Sequence, residues 1–141
     1  MVNISATAQM YLDTFDNLSK RPLEERSDKL AEMLRERQAF WMHSGNPDDS
    51  HAELHSGKCS DGFVDVLRAL RDTSFCFGAA YGLVRVIKQK YRGPIGWVIG
   101  SDHAGAVLSQ NFALHIGALH DFTEKGPDKT QLWKRFTINP G

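Results

Sequence analysis

Gly96-Trp97-Val98-Ile99-Gly100-Ser101-Asp102-His103-Ala104-Gly105 runs directly into Ala106-Val107-Leu108-Ser109-Gln110-Asn111-Phe112-Ala113-Leu114. A short apolar, β-branched run gives way to small residues and then to a helical pattern. That is the grammar of a strand, a tight loop and a helix N-terminus in a parallel sheet. In open α/β sheets, ligands sit at the carboxyl ends of such strands. Backbone N–H groups of the loop, with the positive end of the helix dipole, can hold a phosphate or pyrophosphate there. Gly100 and Gly105 are free to take φ > 0 and to admit an anion close to the backbone. The spacing is neither Walker A, since no Gly-Lys-Ser/Thr follows, nor G-x-G-x-x-G. Spacing alone leaves two readings: an anion cradle, or a plain turn from strand to helix.

Upstream of this stretch, Phe77, Ala80, Tyr81, Val84, Ile87 and Lys88 recur at helical spacing and predict a long helix over 74–91. Arg92-Gly93-Pro94 stops it, with Gly93 as the C-terminal cap. The strand is predicted over 95–99 and the following helix to 116, ended by Gly117. A second parallel strand is predicted over 118–122. Residues 126–129 then form a loop, 131–137 a last strand, and Asn139-Pro140-Gly141 a turn.

Towards the N-terminus, Met10, Tyr11, Phe15 and Leu18 predict a helix over 5–18 with Ser5 as its N-cap. Pro22 fits the first turn of a second helix, with Glu24 and Glu25 near its positive end. That helix is predicted to reach Met42 and to bury Leu30, Met33, Leu34, Phe40 and Trp41 on one side. Such a pair of amphipathic helices suggests a packing or dimerisation element. Residues 45–50 read as a loop, and Asp48-Asp49 has no further metal ligand at a recognisable spacing. His51 and His55 are four apart, but their surroundings read as a strand entering a turn, so they are taken as surface histidines rather than a chelate. In Ser56-Gly57-Lys58-Cys59-Ser60-Asp61-Gly62-Phe63-Val64-Asp65, small and hydroxyl residues surround Lys58, and Phe63 follows in a short strand. A lysine beside an aromatic face suits an anionic planar ligand, and a hairpin with an exposed lysine suits the spacing equally. Residues 67–71 read as a short helical turn.

With 141 residues the chain fits one domain with a real core. Lys+Arg and Asp+Glu are both 17, a balance that argues against nucleic acid or an anionic membrane as the main partner. Cys59 and Cys76 form neither a C-x-x-C pair nor a disulfide framework, which points to reduced thiols and a cytoplasmic setting. Neither a signal peptide nor an apolar run long enough to span a bilayer is visible.

Three separated segments together resemble orotate phosphoribosyltransferase, a type I phosphoribosyltransferase. Its hood segment reads S-G-K-x-S-x-x-aromatic-x-N/D, as at Ser56 to Asp65 here. Its strand and G-P-A-x-G-G loop fall where Gly100-Ser101-Asp102-His103-Ala104-Gly105 stands, with only the outer glycines kept. Its E-K pair and L-x-R-x-F-x-I-x-P-G stretch are similar to Glu124-Lys125 and Leu132-Trp133-Lys134-Arg135-Phe136-Thr137-Ile138-Asn139-Pro140-Gly141. The likeness covers roughly residues 52–141.

The resemblance implies an α/β fold with a parallel-sheet, type I phosphoribosyltransferase-like core, divided into a helical region over 1–44, a small β hood over 45–66 and the core over 67–141. It implies transfer of ribose 5-phosphate from phosphoribosyl pyrophosphate to orotate, with Mg2+ carried on the pyrophosphate, in a homodimer. Gly100, Ser101, Asp102, His103, Ala104 and Gly105 would cradle pyrophosphate. Lys58, Phe63 and Arg135 would line the base, and Lys125 and Lys129 would be the catalytic cations over the leaving group. Asp102 departs from the pattern by putting a carboxylate in an anion loop, and Ala104 replaces a residue that is cationic in some members. The family's later T-T-G or T-A-G fingerprint for the ribose phosphate has no counterpart before Gly141. The expectation is therefore activity in a complete protein and none in this chain alone, or else a non-catalytic nucleotide-binding or interaction module derived from the fold.

Overall fold

A computed structural model describes residues 4–54 and 56–137. Helix α1 (Ala6–Ser19) starts where Ser5 Oγ accepts the Ala8 N–H at 3.2 Å, as a capping serine should. It lies along α4 (Thr73–Lys90), the longest helix of the chain. The two approach closely because α4 presents Gly78 to Tyr11 and Gly82 to Phe15. A Cβ at Gly78 would lie 2.6 Å from Tyr11 Cβ, with backbone just behind it. Phe15, Leu18 and Phe75 fill the seam, and Phe75 meets Tyr11 and Phe15 edge-on at 5.7 and 5.5 Å.

Helix α2 (Leu23–Glu36) touches the body through α1 and through strand β1 (Phe40–Met42). The predicted continuation of this helix to Met42 is corrected here. Gln38 sits at φ 55°, the Ala39 N–H turns back to the Leu34 carbonyl, and the next three residues extend as β1. Strand β1 pairs antiparallel with β4 (Gly62–Val64), so that Trp41 stands opposite Phe63. Cross-strand aromatic pairing suits these residues better than another helical turn. Phe40 and Trp41 are consequently not a buried helical face, and Trp41 is 40% exposed. Phe15 is buried and Leu34 packs against the same core, so both serve the body of the protein rather than a partner.

Strands β2 (Ala52–Glu53) and β3 (Cys59–Ser60) form a second antiparallel pair, and α3 (Val66–Leu70) leads into α4. Two short antiparallel pairs thus stand where the β hood is expected, and one of them takes β1 from the segment expected to be helical. Asp72 caps α4 by accepting the Phe75 N–H at 3.1 Å. The Arg37 guanidinium reaches Asp72 at 3.2 Å and Tyr11 Oη, and lies 4.1 Å over the Phe75 ring. One arginine thus ties the end of α2 to α1 and to the start of α4. At its other end α4 stops at Tyr91. Gly93 is not at positive φ and does not act as the expected cap.

The main sheet has the order β5-β6-β7. Strand β5 (Trp97–Ser101) begins two residues later than expected and runs parallel to β6 (Leu119–Lys125), from Trp97 opposite Leu119 to Ser101 opposite Thr123. The crossover between them is α5 (Ala104–Ile116), closed as expected by Gly117, which sits at φ 69° in a left-handed cap. Phe112 of α5, Ala80 and Val84 of α4, and Val98 of β5 share one apolar cluster, so α5 sits between α4 and the sheet. Strand β7 (Gln131–Leu132) returns antiparallel to β6 and is far shorter than the predicted 131–137. Beyond it, Trp133 leaves the ladder to bond a side chain of β6. The expected turn at 139–141 lies outside the described residues, as do His55 and Ile138.

Candidate functional site

The six singled-out residues from Gly100 to Gly105 are one continuous turn at the carboxyl end of β5. Gly100 and Ser101 finish the strand, Asp102 and His103 make the corner through a cis peptide, and Ala104 and Gly105 open α5. Neither glycine is at positive φ, contrary to the expectation. Gly100 is required for another reason: a Cβ there would run into the Gly105 carbonyl and Ser109 Oγ. Strand end and helix start are in backbone contact. At Gly105 the first obstacle is only a side-chain atom, Ser101 Oγ, at 2.7 Å. The N-cap residue of α5, His103, makes no capping bond from its side chain. A helix start without a side-chain acceptor leaves N–H donors free for another acceptor.

Asp102 is held rather than loose. Its Oδ1 accepts the Gln131 amide N–H at 3.0 Å, and Gln131 Oε1 accepts the Thr123 hydroxyl at 2.6 Å. This chain joins the corner of β5–α5 to β6 and β7. Sequence reading missed Gln131 and Thr123, since nothing in their local pattern reports a contact across 29 residues. Behind the turn, Ser109 Oγ lies 3.0 Å from the Ala106 carbonyl and 2.9 Å from His120 Nε2, pinning α5 to the middle of β6.

Lys125 and Lys129 lie at this same end of the sheet. Lys125 closes β6, in register with Gln131, and Lys129 sits at φ 64° in the turn to β7, its N–H bonded to the Gly126 carbonyl at 3.0 Å. Beside it, Asp128 accepts the Thr130 hydroxyl at 2.6 Å. That bond and the Thr130 backbone N–H hold its carboxyl below the usual range. The β6–β7 turn thus carries a fixed carboxylate next to an exposed cation.

The residues expected to line the base divide between two places. Lys58 is exposed in the approach to β3, and Phe63, 46% exposed, lies on β4 opposite Trp41. Arg135 is engaged elsewhere: its guanidinium meets Glu124 Oε1 at 2.7 Å and stands 5.0 Å over the Phe122 ring. Nearby, the buried Asp121 accepts the Trp133 indole N–H and the Phe122 N–H. The indole bond is the main cause of its lowered pKa, helped by the Phe122 N–H, Arg135 and His120 and opposed by burial. Among the described residues, no group of three or more His, Cys, Asp or Glu side chains could hold a metal ion. None of their helices is long and apolar enough to cross a membrane.

The chain has a mixed α/β fold. A solved structure that shares it is that of Leishmania donovani UMP synthase, with a TM-score of 0.56 and 15% sequence identity over 76% of this chain. The match spans 22% of that protein's length. No protein-family model and no curated protein sequence matches the chain.

Proposed function

We propose that the chain is a phosphoribosyltransferase-like domain of the orotate type, moving ribose 5-phosphate from phosphoribosyl pyrophosphate to a pyrimidine base. The observation that carries this reading is the β5–α5 turn. An uncapped helix start at the carboxyl end of a parallel strand stands at the same end of the sheet as Lys125 and Lys129. The three-segment resemblance to orotate phosphoribosyltransferase supports it. So does the shared fold with a protein named for making UMP, a pyrimidine nucleotide that carries ribose 5-phosphate.

In that reaction a nitrogen of orotate bonds to the sugar C1′ as the C1′–O bond to pyrophosphate breaks. The bonding electrons leave with pyrophosphate, and the proton of the base nitrogen passes to pyrophosphate or solvent. Mg2+ arrives on the pyrophosphate as part of the substrate. The backbone N–H groups of Gly100 to Gly105, with Lys125 and Lys129, would receive the growing negative charge. Lys58 and Phe63 would face the base, and Arg135 would join them only by giving up Glu124. A second reading, a nucleotide-binding module without turnover, is favoured by one observation: Asp102 keeps a carboxylate at the corner of the anion loop. A homodimer is part of the proposal, through the exposed Met10, Trp41 and Met42. Sedimentation showing only monomer at high protein concentration would remove that part.

Calorimetry with Mg2+–phosphoribosyl pyrophosphate and with pyrophosphate tests the site. Wild type is expected to bind both. Gly105→Val, which sets a branched side chain against Ser101 in the cradle, is expected to bind neither. Lys58→Ala is expected to weaken orotate or its nucleotide more than pyrophosphate. Equal binding by Gly105→Val would reduce the loop to a structural turn. In a complete protein, binding without release of pyrophosphate in the presence of orotate would favour the module.

A further inference from the structure

Gln131 opens β7, a strand of 2 residues that pairs with β6 only through Glu124–Leu132 and Lys125–Gln131. A ladder this short holds a hairpin poorly by itself. The turn before it is firm. The Gly126 N–H bonds to the Thr130 carbonyl at 2.8 Å, the Lys129 N–H to the Gly126 carbonyl at 3.0 Å, and Asp128 accepts the Thr130 hydroxyl. Lys125 stands across the ladder from Gln131, and Lys129 belongs to the turn that leads into it. Whatever fixes Gln131 therefore fixes the backbone that carries both lysines.

Gln131 is gripped from two sides. The ionised Asp102 can only accept, so its Oδ1 takes the amide N–H, at 3.0 Å. The amide oxygen is then left for the Thr123 hydroxyl, which it accepts at 2.6 Å. Turning the amide over would set its oxygen against the carboxylate and lose the bond to Asp102. One orientation satisfies all three groups, and it spans the gap from the β5–α5 corner to the β6–β7 hairpin.

We propose that Gln131 is a positioning residue: through Asp102 it latches the hairpin carrying Lys125 and Lys129 to the 100–105 turn. This role rests on that turn cradling pyrophosphate. Donors and cations already in place stabilise a charged leaving group better than ones that must first be ordered. The latch also gives the Asp102 carboxylate, out of pattern in an anion loop, a partner other than the ligand.

Two measurements test it, with circular dichroism to check that every variant folds. The first is amide exchange by NMR without ligand. Gln131→Leu and Asp102→Ala are each expected to speed exchange at Gly126 and Lys129 by about threefold to tenfold. Asp102→Asn keeps an oxygen for the Gln131 N–H and is expected to retain most of the protection. Unchanged exchange in Asp102→Ala, or as large a loss in Asp102→Asn, would overturn the latch. The second is calorimetry with Mg2+–pyrophosphate. Gln131→Leu is expected to weaken binding by about threefold to tenfold, and by clearly less once Lys129→Ala is present, because it acts through that lysine. Equal losses in both backgrounds would make Gln131 a structural residue only and overturn its positioning role. If wild type binds no pyrophosphate while exchange responds as expected, the cradle reading fails and the latch stands as a device of the fold.

Discussion

Gly100 and Gly105 bracket the same turn, yet the structure separates what each can tolerate. At Gly100 the space a Cβ needs is occupied by the Gly105 carbonyl and by Ser109 Oγ, itself placed by the Ala106 carbonyl and His120. The obstacle is backbone, so Gly100→Ala must push α5 off the end of β5. Overpacking of this sort costs about 1–3 kcal/mol. For a chain of 141 residues that corresponds to a fall in Tm of about 3–10 °C. At Gly105 the nearest atom is Ser101 Oγ, which can rotate away, and the position is already helical. Alanine there recovers some helix propensity and should leave stability within about 0.5 kcal/mol of wild type. Thermal and urea unfolding followed by circular dichroism measure both variants side by side. If Gly100→Ala melts with wild type, or Gly105→Ala loses as much as Gly100→Ala, the close approach of strand and helix is wrong.

Arg37→Met should cost about 2–3 kcal/mol, since it removes the bond to Asp72 and the stacking on Phe75. A double-mutant cycle with Asp72→Asn in urea unfolding should show coupling, and additive losses would contradict the tie. Asp121 has a folded pKa below its ordinary 3.8, chiefly through the Trp133 N–H. Its stabilisation is therefore complete above that value and lost as pH falls below it through the lowered folded pKa. The stability gap between wild type and Trp133→Phe should accordingly be constant from pH 7 to about pH 5 and narrow below pH 4. A gap that stays constant down to pH 2 would show that the indole bond does not set the carboxyl's titration.

Much of the helical layer and the parallel unit was legible because their signals are local. Ser5 caps α1, Gly117 ends α5, and the apolar run before the small residues became a strand parallel to the next one. The errors arose where distant partners decide. Leu30, Met33, Leu34, Phe40 and Trp41 continue one helical period, and only pairing with Gly62–Val64 turns the last of them into a strand. The stop before it is Gln38 at φ 55°, which no glycine or proline announces. The candidate site divides the same way. Its loop and lysines could be placed from the order of elements, whereas the Thr123–Gln131–Asp102 chain depends on β7 folding back onto β6. The glycines sharpen the point. Their spacing suggests an anion cradle at positive φ, but Gly100 is explained by packing whether or not an anion ever binds. Stability of the Gly100 variant therefore reports only on the fold, and function must be read at Gly105, where a side chain can enter the turn without prising the strand from the helix.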